Sequence, residues 1–412
     1  MLKSMKCHPF SRASLRALSL SALSVLVPAT ASAELLAMLN YESKVGQPNR
    51  REGIAVIDVD PNSPTFNQIV KDTPLPPDFV AHHIYYNKDV TKAYVTSLGH
   101  TELYVYDLSK FPDEKTVVSV PDCKVGEDIT FSDDRKHWYL SCMGSNNVIV
   151  GDARSDKPIV TIGNDGSSDK FIKYPHGVML NDDLDRIFVT STVNPDDLND
   201  AGETVSVIQA STRKILSTHK LSNKPSPSGE APVEIAFIPH RKPQIAYINN
   251  LYGGALWTAT WRPESEDFTF RKVFDFAETG QSLPLEMGFN EAVDRLYITT
   301  AKPGAFNIFD IEDPYTPKLL STIPTAGGAH HFVLSPDHRH AIVQNSFINL
   351  PEMDDGSVSV IDLHQNKVVA TVDVLKKAGL TPNCIIAMPN GIRAITETNA
   401  AKPLANRRLR GP

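Results

Sequence analysis

Two histidine pairs stand in matching contexts near opposite ends of the chain, Ala81-His82-His83-Ile84 and Ala329-His330-His331-Phe332. Imidazoles can ligate metals or move protons near neutral pH, so two such pairs are the first residues to ask for chemistry. The same opening recurs five more times with other residues at the paired positions. These are Gly126-Glu127-Asp128-Ile129, Pro175-His176-Gly177-Val178, Pro232-Val233-Glu234-Ile235, Pro284-Leu285-Glu286-Met287 and Pro382-Asn383-Cys384-Ile385. Their intervals of roughly 45 to 57 residues mark a repeat architecture. If each opening starts the innermost strand of a repeat arranged around an axis, the paired positions converge. They would then gather His82, His83, His176, His330 and His331 with Glu127, Glu234 and Glu286.

That inventory suits one transition metal ion. Imidazole-rich sites take copper, iron or zinc, whereas calcium and magnesium prefer oxygen ligands. Copper is the expected ion, with iron or zinc as the alternative. The three glutamates are expected behind the histidines, each accepting the second ring N–H of a ligand and fixing its tautomer. Cys384 occupies a paired position as well, where a thiol could bind metal or pack. A structural reading competes with each of these. Pro-His-Gly openings are common in propeller repeats, and the glutamates could simply tie neighbouring repeats through backbone amides. Successive strand residues point to opposite faces, so one histidine of each pair should face the axis unless a bulge brings both inward. His100, His137, His219, His240, His338, His340 and His364 fall on turns or outer strands and are expected in solvent.

The stretches between openings define the elements that must hold these residues. After His82-His83 come Lys92-Ala93-Tyr94-Val95-Thr96-Ser97-Leu98, then Glu102-Leu103-Tyr104-Val105-Tyr106-Asp107-Leu108, then Lys115-Thr116-Val117-Val118-Ser119-Val120. Each is a short run rich in β-branched and aromatic residues, punctuated by turn residues. No long amphipathic helix period appears before the short Val374–Ala378 stretch. Four strands per repeat predict an all-β, seven-bladed β-propeller of four-stranded blades. The chain ends predict how the ring closes. Gly53–Val59 and Phe66–Val70 read as outer strands without an inner one, and Cys384–Met388 as an inner strand without outer ones. The last blade is therefore expected to be closed by both termini, with Leu35–Leu39 and Ile392–Ile395 competing for the remaining strand.

Lys3, Lys6, Arg12 and Arg16 precede the apolar run Leu18–Val27 and the small-residue exit Ala31-Ser32-Ala33. This pattern predicts a secretory signal peptide at 1–33, cleaved after Ala33, and a periplasmic or secreted protein without a membrane span in its mature chain. Residues 34–400 are then the propeller domain and 401–412 a polar tail. Losing the signal segment takes the formal charge from −7 to −11. A moderately acidic chain without a basic stripe argues against nucleic-acid partners. Cys123 and Cys142 flank one repeat's first two strands, so in an oxidising compartment a disulfide between them is a candidate, with two free thiols as the alternative. No Gly-x-Ser-x-Gly elbow, phosphate loop or haem-attachment motif is present.

Several stretches resemble the selenium-binding protein/methanethiol oxidase family. Gly53-Ile54-Ala55-Val56-Ile57-Asp58-Val59-Asp60-Pro61 followed by His82-His83 is similar to the family's beginning, and Pro232-Val233-Glu234-Ile235-Ala236-Phe237 to a later segment. Phe309-Asp310-Ile311-Glu312-Asp313-Pro314 and Gly356-Ser357-Val358 continue the likeness in order. The resemblance implies a seven-bladed propeller, export, histidine-bound copper and oxidation of methanethiol by O2 and water to formaldehyde, hydrogen sulfide and hydrogen peroxide. It carries over to His82, His83 and Glu234. Family members have a histidine in their closing segment where this chain has Asn383 and Cys384, and His330-His331 stands where close relatives have other residues.

Three functions are weighed on this basis. The first is an exported, copper-dependent oxidoreductase acting on a small-molecule substrate, a thiol in the family's manner. The second is a non-catalytic periplasmic protein that binds copper or delivers it, with a copper chaperone or redox protein as partner. The third is a metal-free interaction scaffold.

Overall fold

A computed structural model describes residues 35–389. The expected signal peptide, the tail 401–412 and the strand candidate Ile392–Ile395 lie outside the described residues. The protein is a ring of seven four-stranded antiparallel sheets. Blades are numbered here by their inner strands: Ala81–Tyr86 (blade 1), Gly126–Phe131 (2), Pro175–Asn181 (3), Pro232–Phe237 (4), Ser282–Phe289 (5), Ala329–Leu334 (6) and Leu380–Ala387 (7). Blade 7 takes its inner strand from the C-terminal end and its other three, Leu36–Ser43, Glu52–Asp58 and Ile69–Leu75, from the N-terminal end. The register Ala37↔Ala387 through Ser43↔Leu380 joins the two, so Leu35–Leu39 contributes the strand next to the inner one. The outermost strand starts at Ile69 and not at Phe66, because a turn hydrogen-bonded between Asp58 and Gln68 occupies the residues before it.

The core lies in the wedges between blades. Phe188, Val205 and Val207 of blade 3 pack on Ile235, Ala246, Trp257 and Phe268 of blade 4, and equivalent apolar clusters fill the other wedges. Burying each such side chain contributes about 1.5–3 kcal/mol, so sheet faces that alternate in sequence are stable only when a neighbour covers them. Outer strands such as Lys367–Val372 alternate exposed and half-buried residues and carry polar side chains on the free edge.

Every inner strand carries the same irregularity at its paired positions. In blade 1 Ala81 pairs with Ser97 and Ile84 with Val95, so His82 and His83 form a bulge with one extra residue. The register slips at the same place in the other blades: after Gly126, Pro175, Pro232, Pro284 and Ala329, and between Pro382 and Cys384. The residue before each of the first six openings has positive φ, including Val80 (52°), Val125 (56°), Tyr174 (45°) and Ala231 (52°). For a β-branched residue this conformation is costly, about 1–3 kcal/mol. The surroundings hold it: the carbonyls of Val80, Val125, Tyr174 and Ala231 accept from Leu98, Met143, Thr192 and Leu251.

A polar residue on the second strand of blades 2 to 7 clasps the bulges together. Thr299 accepts from the Glu286 amide at 3.1 Å and donates to the His330 carbonyl of the next blade at 2.5 Å. Ser141 and Thr190 repeat the clasp onto His176 and Val233, Asn249 and Gln344 donate to Leu285 and Asn383, and Asn40 donates to His82. Backbone groups freed by the bulges are thereby satisfied between blades.

Candidate metal centre

Because each pair is bulged, both members turn inward. The rings of His82 and His83 stack at 3.9 Å and those of His330 and His331 lie 3.9 Å apart, so the bulge, and not alternation, decides their direction. Two layers result. First members His82, Glu127, His176, Val233, Leu285 and His330 line a cavity of about 290 Å³. Second members His83, Asp128, Glu234, Glu286 and His331 contact one another behind it.

The carboxylates orient the imidazoles. Nδ1 of His83 lies 2.8 Å from Asp128, and Nδ1 of His331 lies 2.8 Å from Glu286. In both rings Nε2 is buried without a hydrogen-bond partner. A carboxylate on Nδ1–H leaves the Nε2 lone pair free, which is the tautomer a metal ligand needs. The rings of His83 and His331 meet edge to face with their centroids 4.8 Å apart. Nδ1 of His330 is also buried and unpartnered, and its ring stands edge-on to Phe347. Nε2 of His82 lies 2.9 Å from Glu127, and its Nδ1 is 3.4 Å from the Asn383 amide.

His176 spans the two layers, with Nε2 3.5 Å from Glu127 and Nδ1 3.4 Å from Glu234. Its neighbour Gly177 leaves the second layer open there. A Cβ at Gly177 would stand 2.4 Å from the Val233 carbonyl, so only glycine fits.

Two groups of side chains could therefore hold a metal ion: His82, His83, Glu127 and His176, and Asp128, His176 and Glu234. In each, all donor atoms lie within 4.8 Å of one another. Buried polar atoms left without partners cost about 1–3 kcal/mol each, and a cation would satisfy several together. The residues present fit a transition metal.

Electrostatics separate the histidines. Burial, then the neighbouring imidazoles His82, His331 and His176, hold the pKa of His83 well below the ordinary histidine range. Burial, then His331 and His83, do the same for His330. Both rings are thus neutral and ready to ligate. For His82 burial works against the charged form, but Glu127 outweighs it and the pKa is raised. Burial and the carboxylates of Asp128, Glu286 and Glu127 hold the Glu234 carboxyl well above its usual range.

Asp128 and Tyr85 belong to the site and are absent from the residues proposed on sequence. Asp128 occupies the position in the second opening that His83 holds in the first, so the repeat itself marked it. The Tyr85 hydroxyl donates to Asp128 at 2.5 Å and lies 3.3 Å from Nδ1 of His83. Cys384 is buried among Met38, Ile54, Ala81 and Ile84 in the wedge between blades 7 and 1, and burial pushes its thiol up to about 12. It belongs to neither metal-capable group. Cys123 and Cys142 are joined as a disulfide, with Cα atoms 5.1 Å apart. His219 is not free in solvent: its Nε2 lies 2.8 Å from the Ser217 hydroxyl and 3.1 Å from Asp267.

The cavity in front of the first layer is otherwise apolar. Leu98, Val125, Met143, Leu251 and Phe347 line it, together with Val193, Pro195 and Leu198 from a short hairpin inserted in blade 3. No lysine or arginine is among its lining residues. Among the described residues no helix is long and apolar enough to cross a membrane.

Fold and site together define a seven-bladed β-propeller with a histidine–carboxylate cluster on its axis. Among solved structures the chain is similar to a hypothetical selenium-binding protein from Sulfolobus tokodaii, with a TM-score of 0.68 at 15% identity over 87% of this chain and 92% of that one. It is also similar to the periplasmic gluconolactonase PpgL of Pseudomonas aeruginosa, with a TM-score of 0.61 at 13% identity over 85% and 99%. A putative 6-phosphogluconolactonase from Bacteroides fragilis gives 0.60 at 10% identity over 88% and 100%. At such identities these likenesses establish the propeller fold. No family model matches the chain, and no curated protein matches it.

Proposed function

We propose that the axial cluster binds copper and that the protein is an exported oxidoreductase acting on a small molecule, a thiol such as methanethiol. The observation that carries the metal reading is the matched pair His83 and His331, each held by a carboxylate on Nδ1 with Nε2 buried and unpartnered. His82, Glu127 and His176 complete the metal-capable group of His83, while His330 lies against His331 outside that group. Copper supports the oxidase reading because imidazoles suit it and because the sequence resembles the methanethiol oxidase family. The fold likeness to a selenium-binding protein points the same way. Iron or zinc is the alternative that this ligand set also suits.

When bound, copper would supply a centre that changes valence and accepts a soft sulfur ligand. The chain's own residues perform the remaining work. Asp128, held in turn by Tyr85, keeps the proton of His83 on Nδ1. Glu127 lies between Nε2 of His82 and Nε2 of His176, where it can take up a thiol proton or hold it on His82. The apolar wall of the cavity favours a small uncharged substrate and excludes water. The overall reaction would consume one methanethiol, one O2 and one water and give formaldehyde, hydrogen sulfide and hydrogen peroxide.

The signal segment, the Cys123–Cys142 disulfide and the fold shared with a periplasmic gluconolactonase support a location outside the cytoplasm. Deep burial favours one other reading. His83 and His331 are 0% and 5% exposed, which suits an ion stored for delivery to a partner protein as well as one used in turnover. Oxygen uptake by copper-loaded protein offered methanethiol, with His83→Ala as control, separates the two. Uptake lost in the variant supports the oxidase; tight copper binding without uptake supports the carrier.

A further inference from the structure

The imidazole reading leaves the crowding of the axial carboxylates unexplained. Glu127, Asp128, Glu234 and Glu286 converge on the axis, and among the described residues their only ion-pair partners are histidines. No lysine or arginine reaches them. Carboxylates crowded this closely away from water repel one another, and a divalent ion among them offsets that repulsion. His176 adds an independent sign. It is 8% exposed, its Nδ1 has no hydrogen bond, and that nitrogen is directed at Glu234 3.4 Å away. Its other nitrogen faces Glu127, the arrangement that fixes a ligating imidazole from behind.

We infer that the axis holds a second divalent cation, ligated by Asp128, Glu234 and Nδ1 of His176. The inference rests on the metal reading above for its neighbour: the imidazole ion keeps His82, His83 and Glu127, the rest of its own group. Two oxygens and one nitrogen make the second position harder than the first, which suits zinc, manganese or iron(II); copper(II) outranks these ions at any such site, so it is the more imidazole-rich position that takes the first equivalent of copper. Asp128 then serves both ions, offering one oxygen to the second cation while the other holds His83.

The test uses the full mature chain stripped with chelator, loaded with one equivalent of copper(II) and then with excess zinc(II), and freed of unbound metal by gel filtration before elemental analysis. The expected content is one copper and one zinc per chain. Glu234→Gln, nearly isosteric, should keep copper and bind zinc at least about 10-fold more weakly. Equal melting of the stripped forms checks its fold. One copper with no zinc in the unmodified chain overturns the second site and leaves the first standing; that measurement decides the matter even if the variant fails to fold. Zinc retained by Glu234→Gln at full affinity also overturns it. One zinc without copper, lost in Glu234→Gln, supports the second site while removing the copper reading.

Discussion

Nδ1 of His83 lies 2.8 Å from Oδ1 of Asp128, across the boundary between blades 1 and 2. The two residues hold the same position in consecutive repeats, so one opening supplies the imidazole and the next the group that orients it. His331 and Glu286 show the mirror arrangement, the carboxylate coming from the preceding blade. An axial pair position thus carries an imidazole or the carboxylate that orients one according to residue type alone.

Asp128→Asn should leave the ring in place but remove the charge that fixes its tautomer. Loss of such a partner lowers metal affinity about 10- to 100-fold. His83→Ala should cost at least as much, because a donor atom itself disappears. Copper competition titrations on both variants check this order. A variant at Asp128 with unchanged affinity would show that Tyr85 or the bulge alone positions His83.

The propeller and the convergence of its openings were legible because the same short pattern recurs, and recurrence survives without knowledge of distant contacts. Asp128 was legible too, since it aligns with His83, Glu234, Glu286 and His331 once the openings are stacked, although it is the one aspartate among histidines and glutamates at those positions. The inward turn of both members of a pair was not legible. Alternation along a strand predicts one, and the bulge that overrides it depends on clasps such as Thr299 to His330, which join residues in different blades. The same holds for His176, whose reach to Glu234 depends on Gly177 being too close to Val233 for any side chain.

Thr299→Val tests the clasp. The substitution keeps the branched shape while removing one acceptor for the part-buried Glu286 amide and one donor to the buried His330 carbonyl. Each unsatisfied buried group costs about 1–3 kcal/mol, so the variant should lose about 2–5 kcal/mol in denaturant unfolding. It should also loosen metal binding, since Glu286 and His330 are the residues it ties. Wild-type stability would mean that water or a shifted strand replaces the clasp.

Reducing the Cys123–Cys142 disulfide should destabilise the protein without touching the metal centre. The bond closes a loop with a sequence separation of 19, for which the unfolded-chain constraint is about 3 kcal/mol. Cys123→Ser/Cys142→Ser should therefore melt earlier in stripped and loaded forms alike, with copper affinity unchanged. A change in copper affinity would instead tie the start of blade 2 to the site through Val125 and Glu127.

The neutral histidines set the pH dependence of the metal-free protein. His330 has its folded pKa depressed below the ordinary histidine value of about 6.5, so the unfolded chain binds the proton and the folded chain does not. Its contribution to stability is present above about 6.5 and falls as the pH drops toward the folded value, by at most about 1.4 kcal/mol per pH unit. His83 acts in the same sense. Glu234 acts in the opposite one, because its raised pKa lets the folded state hold a proton that the unfolded chain releases. The total slope mixes these groups, but a difference between two proteins does not. His330→Gln removes one neutral ring of similar size, and its stability in chelator, followed by urea unfolding from pH 7 to pH 5, should fall less steeply than that of the parent. The difference should approach about 1.4 kcal/mol per pH unit as the parent's unfolded His330 becomes fully protonated. Parallel curves would mean that the folded protein protonates His330 as readily as water does, and that its burial beside Phe347 and His331 is not maintained in solution.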